Sequence, residues 1–353
     1  DELRFLMSVT DEEQLQLIYK KAYEVKAKYV QPVAYYRGLI EFSNRCIKNC
    51  NYCGIRREND KTERFDMNRE DIIKMAQWAY DHEYGSITLQ SGERCDDVFV
   101  DYVVDLIRDI KAIGDGSLGI TMCVGEQSEE AYRCMREAGA SRYLLRIETT
   151  NKELYHKIHP RDELHSFETR VECLRRLRRV GFQVGTGVMI GLPGQTEEDL
   201  VNDILFYRDM DIDMIGMGPY VVHHDTPLGQ EALAMGIDDE EGKLRRIQLG
   251  FKMIALTRLF LKDVNIAATT ALQALDPLGR EKGLAAGANI LMPIITIPEH
   301  RAKYLLYDNK PCVDDNADKC KDCLTRRVMS IGDTVGWKQN GDSKHYGKRT
   351  GEF

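Results

Sequence analysis

Short runs of apolar and β-branched residues recur along the chain near 36–43, 86–91, 118–124, 142–148, 183–190, 213–220, 265–271 and 289–295. Each has the length and residue types of a strand. Between them, apolar positions return at helical spacing near 69–83, 97–113, 128–138, 167–180, 196–209, 239–262 and 276–286. The ends of these segments agree with their periods. Ser128 precedes two glutamates and Thr196 opens Thr-Glu-Glu-Asp, which is N-cap chemistry with an acidic first turn. Gly114, Gly139 and Gly181 stand where helix C-caps need a left-handed residue.

Eight strands alternating with helices over about 260 residues predict an α/β fold, a (β/α)8 TIM-type barrel. The alternative is an open doubly wound sheet, whose GxGxxG turn after the first strand is absent here. Gly185, Gly187, Gly191 and Gly194 fall on the fifth strand and its exit loop, too late and too widely spaced for that role. The barrel is expected over 35–300. Residues 1–34 form an N-terminal helical segment with an apolar stripe at Leu15, Leu17, Ile18, Ala22 and Val25. Residues 301–353 form a C-terminal extension that ends in a polar Gly/Lys/Asp-rich stretch. No solenoid-length repeat and no low-complexity segment interrupts this plan.

Composition narrows the class. The chain has 353 residues, 43% hydrophobic and 30% charged, with a formal net charge of −8, so it is globular and not a general nucleic-acid binder. The basic run Arg175, Arg176, Arg178 and Arg179 lies on a predicted helix and reads as a solvated face. No apolar stretch approaches the roughly 20 residues of a membrane span. The acidic opening DELRFLMSVTDEEQ lacks a signal-peptide pattern, so a cytoplasmic location is expected. In that compartment the ten cysteines are thiols, not disulfides. Cys95, Cys123, Cys134 and Cys173 are scattered and most are expected in the core. The other six fall into two groups: Cys46, Cys50 and Cys53, and Cys312, Cys320 and Cys323.

The first group reads Cys-x3-Cys-x2-Cys, with Tyr52 just before the last cysteine. It follows the first strand directly, which places it on the catalytic face of a barrel. One short loop then points three thiolates at a compact inorganic core. Soft thiolates suit iron–sulfur clusters and zinc. Structural zinc needs four ligands, and no nearby His or Cys supplies the fourth.

With EFSNRCIKNCNYCGIRREN at 41–59, LQSGE at 89–93, RYLLRIET at 142–149, GLPGQTEEDL at 191–200, HHDTPL at 223–228, NIAATTA at 265–271 and GANILMP at 287–293, nearly the whole chain resembles the radical S-adenosylmethionine superfamily. Within it the resemblance narrows to the HydE family of FeFe-hydrogenase maturases. It implies a 4Fe-4S cluster on Cys46, Cys50 and Cys53, whose open iron chelates S-adenosylmethionine and whose electron cleaves it to a 5′-deoxyadenosyl radical. Tyr52, Gln90, Ser91, Gly92, Glu93, Glu148 and Arg170 are then expected at the cofactor, Gly92 by allowing close approach of its backbone and Arg170 by holding the methionine carboxylate. Arg146 and Glu148, two residues apart, are expected to share one face of the fourth strand, paired with each other or bound to ligand. The resemblance puts Arg146 on a substrate anion, with Ser91, Thr121, Thr269 and Thr270 beside it and Tyr304 closing the bottom of the cavity. Ile147 replaces a histidine of some relatives and is expected to point to the opposite face.

Cys312, Cys320 and Cys323 match the family's site for an auxiliary iron–sulfur cluster, 2Fe-2S or 4Fe-4S; an empty or zinc-bearing tail is the alternative. Met189, Met214, Met217 and Met292 fill the core or line the cavity. His223 and His224 are expected in loop hydrogen bonds, with metal ligation the rival reading. The implied substrate is a small organometallic species, the cysteine-bound iron carbonyl cyanide unit, with a one-electron donor and the maturases HydG and HydF as partners. An amino-acid enzyme related to methylornithine synthase is the rival within enzymes, and a cluster carrier without catalysis is the rival outside them.

Overall fold

A computed structural model of the chain describes residues 1–352. Eight strands pair in parallel in chain order: β1 (Val33–Ser43), β2 (Ser86–Ser91), β3 (Gly119–Cys123), β4 (Arg142–Leu144), β5 (Gln183–Thr186), β6 (Met214–Ile215), β7 (Asn265–Ile266) and β8 (Ile290–Leu291). β8 returns to β1, with Tyr35 opposite Ile290. A parallel bridge between Ala267 and Ile290 joins β7 to β8, and the Asn289 N–H donates to the Ile266 carbonyl at 2.9 Å. The sheet is therefore a closed barrel. Helices follow the strands on the outside, as expected for parallel strands buried on both faces. Ser128 and Thr196 accept N-cap hydrogen bonds from Ala131 and Asp199, and Thr196 with Asp199 forms a full capping box. Gly139 and Gly181 follow helix ends with φ of 119° and 83°.

Several strands are shorter than their apolar runs. The runs 183–190 and 213–220 both break at a glycine, because a Cβ on Gly187 would collide with the Gly216 carbonyl of the next strand. Beyond that crossing Met189–Ile190 pairs with Gly218–Pro219 as a separate small ladder. The run 142–148 is a strand only to Leu144, and 265–271 only to Ile266, after which the helix Thr270–Leu275 begins. These runs stay apolar past the ladder because they pack into the core, which period and composition do not distinguish from strand.

The first helices are Glu2–Ser8 and Glu12–Tyr29. Leu15, Ile18 and Ala22 are buried, but Leu17 is 65% exposed and leaves the stripe. Lys26 takes a buried place on that face, ion-paired with Asp333. The basic run is also less solvated than its composition suggests: Arg178 pairs with the buried Asp213 at 3.3 Å and donates to the Asp211 carbonyl.

The tail forms the helices Ala317–Ser330 and Lys344–Thr350 and a two-residue strand, Thr334–Val335, beside the start of β1. Residues 340–342 then cross the N-terminal end of the barrel. The Gly341 carbonyl accepts from Arg37 at 3.2 Å and from Asn265 at 2.8 Å. Asp342 accepts from Gln183 at 2.7 Å and ion-pairs with the fully buried Arg142. The floor is thus closed by the chain's end. No helix among the described residues is long and apolar enough to cross a membrane.

Candidate active site in the barrel

A cavity of about 330 Å³ opens at the C-terminal ends of the strands, and Cys46, Cys50 and Cys53 line it. The cysteine loop is welded to the end of β2. Gly92 N–H donates to the Ser43 carbonyl at 2.9 Å, Ile47 N–H to the Glu93 carbonyl at 2.9 Å, and Glu93 N–H to Cys46 Sγ at 3.3 Å. A Cβ on Gly92 would strike the Arg45 carbonyl and Cys46. The glycine is therefore demanded by the cysteine loop itself, where close approach of the cofactor was expected. Burial pushes the Cys50 thiol well up and the Cys53 thiol to about 12, and the neighbouring cysteines push in the same direction. Three bare thiolates are disfavoured here, so the set fits a cationic metal core that takes all three together. Cys123 also lines the cavity, with Arg146 and Glu148 as its charged neighbours. Of the other scattered cysteines only Cys173 is fully in the core; Cys134 is half-buried and Cys95 is exposed.

Arg170 comes from the helix Phe167–Arg179 and is 7% exposed. Its Nε lies 2.9 Å from Glu126 and its Nη1 3.4 Å from Glu93. Lys48 completes a quartet, 3.1 Å from Glu93 and 2.8 Å from Glu126. The sequence reading found Arg170 and Glu93 but missed Lys48 and Glu126, because only the fold brings the two loops together. Tyr52 places its hydroxyl 3.4 Å from His159 Nε2, with the two rings edge to face. His159 was also missed. Its Nδ1 lies 2.9 Å from the Tyr155 carbonyl, so that nitrogen bears the proton and Nε2 accepts.

Arg146 and Glu148 do face one cavity, with Nη2 and Oε2 2.8 Å apart, but not by strand alternation. The ladder has ended, and Glu148 adopts φ 67°, a conformation disfavoured for a side chain with a Cβ. Its amide still donates to the Gly187 carbonyl at 3.0 Å. The next turn is pinned from below: Thr150 donates its N–H and hydroxyl to buried Asp203 at 2.9 and 2.6 Å. Ile147 points away and is fully buried in the main core.

Thr269 and Thr270 line the cavity from the start of a helix rather than from a strand. Thr121, on β3, accepts from Arg142 Nε at 3.0 Å. Gln90 donates to the Tyr304 hydroxyl at 3.2 Å, and Ser91 donates to the Gly92 carbonyl at 2.7 Å. Tyr304 thus stands beside the C-terminal end of β2, not at the bottom of the cavity, which residues 340–342 close. A buried pair missed by the sequence reading also lines the wall: Lys310 Nζ lies 2.6 and 2.8 Å from the Glu41 oxygens. Met189, Met214 and Met292 reach the cavity, and Met217 is core. His224 bonds Asp308 at 2.9 Å through Nδ1 and again through its backbone N–H, the loop hydrogen bonding expected of it. In the tail, Cys320 is buried beside Cys312, and Arg327 Nε donates to Cys323 Sγ at 3.3 Å.

A barrel carrying three thiols at the mouth of a largely apolar cavity with a few charged groups on its walls defines a class. Residues 40–207 match the family described as the radical SAM superfamily, and the chain belongs to it; its members bind a 4Fe-4S cluster and S-adenosylmethionine. More narrowly, the chain is 41% identical over 335 residues to the [FeFe] hydrogenase maturase subunit HydE of Thermotoga maritima, spanning 95% of this chain and 91% of the relative. It is a radical SAM enzyme of the hydrogenase-maturase type. A 3-methylornithine synthase from Methanosarcina acetivorans is more distant, 27% identical over 84% of this chain and 79% of its own length. Among solved structures, methylornithine synthase shares the fold with a TM-score of 0.79 at 24% identity, over 96% of this chain and 94% of that one. The maturase HydG from Carboxydothermus hydrogenoformans also has a TM-score of 0.79, at 18% identity, over 98% and 77%.

Proposed function

We propose that this enzyme acts on a small cysteine-bound iron carbonyl cyanide species inside the barrel, as a step in building the two-iron centre of FeFe hydrogenase. The observation that best supports this is one cavity at the C-terminal end of the barrel, with three thiols at its mouth and Arg146, Thr269 and Thr270 on its walls. In this reading Cys46, Cys50 and Cys53 would hold a 4Fe-4S cluster at the cavity mouth. Given a one-electron donor, that group would supply the reductive cleavage of S-adenosylmethionine.

The chain's own residues do the rest. Tyr52, Gln90, Ser91, Gly92, Glu93 and Glu148 surround the cofactor, and Arg170 holds its carboxylate while Glu93 and Glu126 fix the guanidinium. Arg146 keeps an Nε without a partner and presents it to a substrate carboxylate. Ser91, Thr121, Thr269, Thr270 and Tyr304 complete the substrate pocket. The closed floor excludes water from a carbon radical and a labile iron species. Residues 35–300 form the catalytic barrel, 1–34 the helical segment and 301–353 the extension. HydG is the source of the substrate in this reading, and HydF is a further partner. Anaerobic turnover with the HydG product, read by 5′-deoxyadenosine release and by spectroscopy of the iron species, tests the reading. Release of 5′-deoxyadenosine with no change in the iron species overturns the substrate assignment.

A further inference from the structure

Arg280, in the first turn of the helix Gly279–Ala285, is 1% exposed, and its Nε, Nη1 and Nη2 all lack a partner. Among the described residues it is the one arginine in that state. The other fully buried arginines differ. Arg258 donates to the Gly287, Val264 and Lys262 carbonyls and to Asn289, and Arg301 donates to the Thr296, Ile294 and Cys312 carbonyls. A guanidinium does not shed its proton, and an uncompensated charge in the interior is strongly destabilising. A fold keeps such a group when an anion comes to it.

The adjacent carboxylate is not that anion: Glu281 turns to Arg327, 3.1 Å away. The groups that feel the Arg280 charge include the tail cysteines Cys312 and Cys320, with the phenols of Tyr36 and Tyr307. Arg327 clamps the helix carrying Cys320 and Cys323 onto the Arg280 helix. It donates to the Pro277 carbonyl at 2.6 Å, to Glu281, and to Cys323 Sγ.

We propose that Arg280 is the buried counter-charge of an iron–sulfur centre ligated by Cys312, Cys320 and Cys323. Three thiolates and bridging sulfides give such a centre net negative charge, and guanidinium N–H groups are suited to sulfur acceptors inside a protein. Arg280 is then a positioning residue that holds the centre in place and raises its reduction potential. The proposal extends the reading of the tail cysteines as ligands and is independent of the substrate assigned to the barrel.

The test uses the full chain with Cys46, Cys50 and Cys53 all changed to alanine, so that any cluster rebuilt anaerobically from iron and sulfide belongs to the tail. Against this background Arg280→Met should shift the midpoint potential of the tail centre to more negative values and speed loss of iron on gel filtration. Arg280→Lys should restore much of the potential. Thermal unfolding separates this from a packing role. Arg280→Met should raise the unfolding midpoint of the unloaded protein and lower that of the loaded one, whereas an arginine that merely packs would lower both. The proposal is overturned if the tail takes up no iron–sulfur centre, if neither variant moves the potential, or if loaded and unloaded forms are destabilised alike.

Discussion

The backbone N–H of Glu93 donates to the sulfur of Cys46 at 3.3 Å, tying the end of β2 to the loop that carries the three mouth cysteines. The contact exists because Gly92 lets the two backbones meet, and a Cβ there has no room beside the Arg45 carbonyl. Gly92→Ala should therefore displace the loop. We expect a loss of stability of about 1–3 kcal/mol from overpacking, with iron incorporation falling much further. Iron and sulfide analysis of the rebuilt protein, set beside a denaturation curve, checks this. Full iron content would refute it.

Arg170 is fixed by two carboxylates that also share Lys48. Arg170→Lys keeps the charge but loses the planar fork that serves a carboxylate ligand and its protein partners together. Affinity for S-adenosylmethionine should fall about tenfold or more, roughly 1.4 kcal/mol, with the cluster still present. Calorimetric titration of the cluster-loaded protein reads the change, and an unaltered affinity would remove Arg170 from the cofactor site.

Asp342 is the carboxylate partner of buried Arg142 at the barrel floor. Asp342→Asn removes the negative charge opposite that guanidinium, whose other partners, the Thr121 hydroxyl and the Asn340 carbonyl, are neutral. Loss of a fully buried pair costs about 3–5 kcal/mol, and partial exposure of Asp342 reduces this to roughly 2 kcal/mol. Urea unfolding measures it. A neutral result would mean that the tail does not seal the floor through this pair.

Burial pushes the Asp203 carboxyl up to about 7, against the opposing hydrogen bonds from Thr150. Its folded value thus exceeds the unfolded one, so between about pH 4 and 7 the folded protein holds a proton that the unfolded chain has released. The stability it contributes is full below about pH 4 and is lost as pH rises towards 7. Asp203→Asn stays neutral throughout. The variant's stability relative to the parent should therefore rise across that window, by up to roughly 4 kcal/mol, and then level off. Chemical denaturation at a series of pH values tests the sign. A difference that shrinks with rising pH would contradict it.

The alternation of apolar runs made the barrel legible, and the Cys-x3-Cys-x2-Cys spacing made its mouth legible, because both are local patterns. Where strands end was not legible. Arg146 and Glu148 face one cavity through a left-handed turn at Glu148, and no period in RYLLRIET encodes that. Thr269 and Thr270 reach the cavity from a helix start inside a run that reads as strand.

By itself the sequence determined the order of the elements, the loop that bears the mouth cysteines and the chemistry that three soft ligands permit. All of these follow from spacings of a few residues. Only the tertiary structure decided that Lys48 and Glu126 brace Arg170, that Lys310 pairs with Glu41, that the tail seals the barrel floor, and that Arg280 is buried without a partner. Each depends on groups brought together from segments distant in the chain, or on what packs around a charge once it is removed from water. Local periodicity holds no record of either.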